Sequence, residues 1–200
     1  MVIQEDLLIN FGADILQLQE SEFLFEENAR PNYYYQIREG KIKLSNIKPG
    51  DGEFIQGIHK EGESVGEVFL FCKHHKYPIN AVATEKCTIL RLKRAKILKL
   101  LKSDFDIQLK FLRICAERTY YSYLLLNSLT SKDAVHQLLT VLNHLKENQQ
   151  ENTARFSYKV PYTRKELSAL TGLRIETIIR ILKKLQSENE VKIIKGKVYY

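Results

Sequence analysis

The chain has 200 residues, 44% hydrophobic and 28% charged, the composition of an ordinary globular protein of one or two domains. Its formal net charge is +7, and the excess is concentrated: residues 151–200 hold 11 Lys and Arg against 5 Asp and Glu, residues 1–150 hold 20 against 19. Such a basic end suits a polyanion, either nucleic acid or an anionic membrane surface. No apolar run is long enough to span a bilayer, and the opening "MVIQEDLLINFG" carries acidic residues where a signal peptide would carry positive charge. A cytoplasmic protein with no membrane partner is therefore expected. Cys72, Cys87 and Cys115 are odd in number and lack C-x-x-C spacing, so they predict buried apolar residues rather than a disulfide framework or an iron–sulfur cluster.

Residues 1–20 read as a helical lead-in. From about 21 to 92 the pattern changes to short β-like runs, "YYYQI", "KIKLSNI", "EFIQGI", "INAVA" and "CTILRL". The glycine-bearing turns "REG", "KPGDG" and "HKEGES" separate them, as in a small barrel or jelly roll. Within this region "CKHH", Cys72 to His75, raises a metal site, but the H-x-H spacing of a metal-binding jelly roll is missing, and neither a metal nor another cofactor is expected.

At Arg94 the period switches, and "RAKILKLLKS" predicts a short helix followed by a long one from Asp104 to Leu129. Phe105, Leu109, Leu112, Ala116, Thr119, Tyr123 and Leu126 repeat at intervals of 4 and 3, an a/d seam of about three heptads that favours a parallel helix pair and hence a homodimer. The alternative is that the stripe packs on the chain's own barrel, although Phe111, Ile114 and Leu125 offer a second apolar face. Next, "SKDAVHQLLTVLNHLKEN" reads as a helix, "ENQQENTAR" as a loop, and "RFSYKV" as a strand in which Phe156, Tyr158 and Val160 alternate.

The last forty residues carry the densest signal. Thr163 stands three residues before Glu166, the spacing of a capping box, so a helix starts there. That helix stops at Gly172, a residue that tolerates the left-handed conformation of a tight turn. In "RIETIIRILKKL" Ile178, Ile181, Leu182 and Leu185 fall on one stripe, while Glu176, Thr177, Arg180, Lys183 and Lys184 occupy the opposite arc with Ile175 and Ile179 at its margin. Helix, glycine turn and second helix is the helix-turn-helix arrangement, whose second helix enters the major groove. "VKIIKGKVYY" then predicts two strands around Lys195-Gly196, a wing whose Lys192, Lys195 and Lys197 can pair with phosphates. Double-stranded DNA is the expected partner.

With these residues in view, the chain resembles the Crp/Fnr family of bacterial transcription regulators over almost its whole length. "YYYQIREGKIKL", "EGESVGEVFLF" and "AVATEKCTILRL" are similar to the family's cyclic-nucleotide-binding-type barrel, residues 104–129 to its dimer helix, and "TRKELSALTGLRIETIIRILKKL" to its DNA-binding domain. The resemblance implies an α+β fold in three parts: a jelly-roll sensor domain over 1–103, a dimerisation helix over 104–130, and a winged helix-turn-helix domain over 131–200. It also implies a regulator rather than an enzyme, RNA polymerase as a further partner, and an inverted-repeat target with TGA in each half-site.

Glu176 and Arg180 match the base-reading Glu and Arg of the Fnr-like recognition helix. The chemistry agrees independently, since Arg can donate twice to guanine and Glu can accept from cytosine. Around them, Thr163, Arg174, Ile175, Thr177, Ile179, Lys183, Lys195 and Lys197 complete the expected DNA-facing set. Arg174 departs from the Ser or Thr cap of many members. Ile175 and Ile179 suit thymine methyls.

For the effector, Gly66 and Glu67, followed by Val68, match the pair that binds ribose hydroxyls in cyclic-AMP-binding members. The later Arg-Ser that holds the phosphate is absent, with Tyr77, Pro78 and Ile79 in its place. Thr119 lies where similar proteins touch the base. The expectation is a small effector other than cyclic AMP, of unknown identity. Two rival readings remain open at this point: a constitutive, ligand-free DNA-binding dimer, and a metal-binding protein or metalloenzyme on a jelly-roll scaffold.

Overall fold

The computed structural model describes residues 1–48, 52–130, 133–147 and 154–200. Most of the expected turn "KPGDG", the first two residues of "SKDAVHQ" and most of the loop "ENQQENTAR" lie outside the described residues. Two compact units are present, Met1–Arg118 and Thr119–Tyr200.

The first unit opens with helix α1 (Glu5–Asn10), followed by strands β1 (Asp14–Leu18), β2 (Phe23–Phe25), β3 (Tyr33–Glu39), β4 (Ile42–Lys48), β5 (Gly52–His59) and β6 (Ser64–Val65). A 3-10 turn at Glu67–Phe71 leads to β7 (Asn80–Ala83) and β8 (Cys87–Lys93). The strands form two antiparallel four-stranded sheets, ordered β1-β8-β3-β6 and β2-β7-β4-β5. Leu18, Tyr35, Ile37, Val65 and Ile89 of one sheet meet Phe25, Ile42, Leu44 and Ala81 of the other in a common core, which is the jelly-roll architecture expected.

The lead-in is only partly helical. Residues 14–18 form β1, paired with β8 from Asp14↔Arg91 to Leu18↔Cys87, and Arg91 grips Asp14 with two nitrogens. A neighbouring strand 69 to 77 residues away overrode the local preference.

β8 explains why "CTILRL" carries apolar residues on both of its faces. Cys87 and Ile89 face the core between the sheets, whereas Leu90 and Leu92 face a second core with Leu8 of α1 and Tyr34 of β3. Helix α2 (Arg94–Ser103) adds Ile97, Leu100 and Leu101 to this second core, and helix α3 (Phe105–Thr130) adds Phe111, with Ile107, Ile114 and Cys115 packed at its edge. A strand buried on both faces needs no polar alternation. The proposed seam lies elsewhere on α3: Leu112 and Leu126 are 57% and 61% exposed, and Phe105 and Tyr123 are also exposed, while Leu109 is half-buried.

The second unit holds the C-terminal part of α3, then α4 (Ala134–Glu147), α5 (Arg164–Thr171), α6 (Ile175–Ser187) and the hairpin β9 (Lys192–Ile194) and β10 (Lys197–Tyr199). Leu138 and Leu142 of α4, Leu167 of α5 and the α6 stripe form its core with Val191 and Val198. "RFSYKV" is not a full strand. Phe156 takes a left-handed backbone with φ 62°, and only Lys159 forms a β-bridge, to Tyr199. Even so, Tyr158 and Val160 are buried; Tyr158 exchanges backbone hydrogen bonds with Tyr200, and the Val160 N–H donates to the Val198 carbonyl, so the segment edges the wing.

Candidate DNA interface and effector site

The helix-turn-helix is fixed by local chemistry. The Thr163 hydroxyl accepts from the Glu166 N–H at 3.2 Å, and the Glu166 carboxylate accepts from the Thr163 N–H at 2.7 Å, which closes the capping box. Because that hydroxyl also donates to Glu166, Thr163 serves first to start α5. Gly172 ends it with φ 72°, a conformation an L-residue adopts only under strain. The turn is laced by side chains: Ser168 Oγ donates to the Leu173 carbonyl, and Thr171 Oγ1 donates to the Leu167 carbonyl at 2.7 Å while accepting from the Leu173 N–H.

On α6, Ile178, Ile181, Leu182 and Leu185 are buried, each less than 5% exposed. The other arc faces out: Arg174, Glu176, Arg180 and Lys183 are exposed and Thr177 is half-buried. Ile175 and Ile179 are 38% and 42% exposed, an apolar margin placed among charges. Glu176 and Arg180, four residues apart, share this face.

The wing follows from its turn. Lys195 has φ 46° and Gly196 φ 75°, the double left-handed pair of a two-residue hairpin whose twist matches its strands. Lys192, Lys195 and Lys197 are exposed. Arg164, the first residue of α5, donates to the Gly196 carbonyl at 2.5 Å and ties the wing tip to the helix-turn-helix. Arg164 was absent from the expected set; nothing in its local sequence points to a contact 32 residues away.

Of the residues expected to meet an effector, Gly66, Glu67 and Val68 lie at the start of the 3-10 turn, Tyr77 in the loop before β7, and Thr119 on α3 in the second unit. Gly66 is left-handed with φ 70°, and a Cβ there would come within 2.9 Å of the Phe25 ring and 3.2 Å of Tyr77. Those two rings stack with centroids 3.6 Å apart, and Phe69 meets Tyr77 edge-on. Tyr77 is 2% exposed and belongs to the sandwich core, its hydroxyl buried without a hydrogen-bond partner among the described residues. Burial pushes the phenol's pKa well above its usual value. Val68 is half-buried, and Thr119 is exposed on α3.

Glu67 is completely buried, and the residue that compensates it is Arg118 of α3, which the sequence reading missed. Its Nη1 lies 2.7 Å from Oε1 and donates to Oε2 at 2.8 Å, while Nη2 donates to the Ser64 carbonyl at 2.5 Å. His59 stands 3.5 Å from Nη2 and pairs with Glu63. Burial alone would raise the Glu63 pKa, but the His59 hydrogen bond and the positive charges of His59, Arg118 and Lys60 lower it overall. A signal for Arg118 existed: Phe111, Ile114, Cys115 and Arg118 fall at i, i+3, i+4 and i+7, so the inward stripe of α3 ends on a cation. Among the described residues no group of three or more His, Cys, Asp or Glu is placed to hold a metal ion, and no helix is long and apolar enough to cross a membrane.

Residues 15–104 match the cyclic nucleotide-binding domain model and residues 135–199 the Crp-like helix-turn-helix domain model. The chain belongs to the Crp/Fnr family of transcription regulators. Among Crp/Fnr relatives, the transcriptional activator protein Anr of Pseudomonas protegens is 23% identical over 188 residues, covering 90% of this chain and 73% of that protein. The cAMP-activated global transcriptional regulator CRP of Salmonella typhimurium is 23% identical over 167 residues, covering 83% and 79%. The solved structure of the c-di-GMP responsive global regulator CLP of Xanthomonas campestris superposes with a TM-score of 0.73 at 17% identity, covering 98% of both chains. This Crp/Fnr chain thus joins a cyclic-nucleotide-binding-like domain to a DNA-binding helix-turn-helix.

Proposed function

We propose that the protein acts in the cytoplasm as a non-enzymatic homodimer, joined along the α3 seam, that reads an inverted repeat through α6 and meets RNA polymerase there. Residues 1–103 serve as sensor domain, 104–130 as dimerisation helix and 131–200 as DNA-binding domain. The observation that carries this reading is α6 itself: a fully buried stripe opposite an exposed arc of Arg174, Glu176, Arg180 and Lys183, with wing lysines alongside. Arg180 donates to guanine and Glu176 accepts from cytosine. Ile175 and Ile179 touch thymine methyls, and Lys195 and Lys197 hold phosphates. The TGA half-site that the resemblance implies supplies such a G·C pair.

The seam supports the dimer. Leu112 and Leu126, more than half exposed in the single chain, lie in heptad register on a 26-residue helix.

The cyclic-AMP dependence in the Salmonella relative's name does not carry over. The face of Gly66 is occupied by the Phe25 and Tyr77 rings, the Glu67 carboxylate is engaged by Arg118, and the phosphate's cation is replaced by Tyr77. A nucleotide entering there would have to break the stack, at about 0.5–1.5 kcal/mol. It would also have to break a buried ion pair, at about 3–5 kcal/mol, and gain no charge-assisted phosphate contact in return. Gating comes from another molecule, or the dimer is constitutive.

Selection of bound DNA from random duplexes, repeated with cell-extract metabolites, tests the reading. Enrichment of an inverted repeat with TGA half-sites is expected. Sequence-independent enrichment would overturn it.

A further inference from the structure

At another surface of the first unit, a cleft of about 390 Å³ is walled by loops 28–32 and 72–77 and by the start of α2. Five of its seven lining residues are basic, Arg30, His74, His75, Lys76 and Arg94, and none is acidic. Among the described residues none of the five forms an ion pair with a carboxylate. We propose that this cleft binds a small phosphorylated anion of the diphosphate or triphosphate kind, separately from the sandwich and from the DNA-reading helix.

The walls are held by backbone bonds, which sets the cleft apart from a chance gathering of surface lysines. The Asn28 N–H donates to the Tyr77 carbonyl at 2.8 Å, and the Tyr77 N–H donates to the Ala29 carbonyl at 2.9 Å, which joins the two loops. The Arg94 N–H donates to the Asn32 carbonyl at 2.8 Å and joins the first loop to α2. The Arg94 Nε donates to the Leu70 carbonyl at 2.8 Å, so the guanidinium is oriented and its two terminal nitrogens remain as a fork for an oxyanion. His75 is held at φ 48° in the turn that brings both imidazoles to the rim.

Like charges collected in a hollow raise its potential and attract a multiply charged counter-ion. Arg30, Lys76 and Arg94 are permanent cations, and each imidazole supplies a further N–H donor. With no lining carboxylate and five basic side chains, the cleft favours an anion.

Calorimetric titration of the full-length protein with sodium pyrophosphate tests this. Saturable binding at one per chain is expected, weakened by added salt and reduced at least about tenfold by Arg30→Ala with Lys76→Ala, two exposed positions. Lys86→Ala, an exposed lysine between β7 and β8, should leave it unchanged. Arg94→Ala should also weaken it, provided its melting temperature matches the wild type. No saturable binding, or binding indifferent to Arg30→Ala with Lys76→Ala, overturns the proposal. So does a loss of affinity for a selected duplex in that double variant with pyrophosphate binding intact, which assigns the cations to DNA.

Discussion

Replacing Arg118 with Met tests the account of Glu67. Met keeps an unbranched apolar stem of similar reach, so the change removes the charge and its donors while retaining much of the contact. The Glu67 side chain is fully buried and that of Arg118 is 23% exposed. Breaking a buried pair by removing one partner costs about 3–5 kcal/mol, because the remaining charge is stranded. The partial exposure of Arg118 places the expected loss near the lower bound, about 3 kcal/mol. Glu67→Gln should cost less, about 1–2 kcal/mol, since the amide oxygen still accepts from Nη1 and the stranded guanidinium can reach water. The double variant strands no charge, so its loss should fall at least about 1.5 kcal/mol short of the sum, the sign of direct coupling. The chain has no Trp and 11 Tyr, so urea unfolding is best followed by far-ultraviolet circular dichroism and tyrosine emission together. Additive losses, or an Arg118→Met cost below about 1 kcal/mol as in exposed pairs, would refute the argument.

Leu112→Lys with Leu126→Lys places charges on the exposed seam, and sedimentation should show monomers; a persisting dimer assigns the seam another role. Arg180→Ala should cost about 1–3 kcal/mol on the selected duplex and relax one position, whereas Lys197→Ala should weaken all sequences alike, as binding titrations on specific and random duplexes will tell. Calorimetry with cyclic AMP and cyclic GMP should yield no saturable heat; micromolar binding abolished by Glu67→Ala would reverse the reading of the sandwich. Hydrogen bonds from Arg91 hold the Asp14 carboxyl below the usual aspartate range. A depressed folded value means stabilisation present above about pH 4 and lost as pH falls through that value. Asp14→Asn should therefore flatten the acid limb of melting temperature against pH, and curves that stay parallel would contradict this.

The parts of this molecule legible in its sequence are those set by neighbours along the chain. The α6 stripe, the Thr163–Glu166 cap, the Gly172 stop and the Lys195-Gly196 turn each depend on residues no more than seven apart, and all stand where the spacing places them. The parts that were not legible depend on distant partners. β1 is a strand because β8 lies beside it, and Phe156 leaves the strand region despite its place in the alternation. The same holds at the sensor site. The sequence showed that "YPI" lacks a cation for a phosphate, but the stack that fills the face of Gly66 joins Tyr77 to Phe25, 52 residues earlier. The partner of Glu67 lies 51 residues later. Gly66 and Glu67 thus stand where the pattern puts them while the residues around them fill the space.

β8 acts as a wall common to two rooms. Ile89 looks into the sandwich and Leu90, its neighbour, into the helical core that receives Phe111 of α3, all three almost wholly inaccessible to water. Close-packed interiors transmit displacement instead of absorbing it, and consecutive residues of a strand cannot shift independently. A push on the sandwich is therefore felt at the root of α3 through a distance of one pleat, with no side chain needing to swing and no water needing to enter. The strand that carries apolar residues on both faces is thus a transmission rod between its two cores.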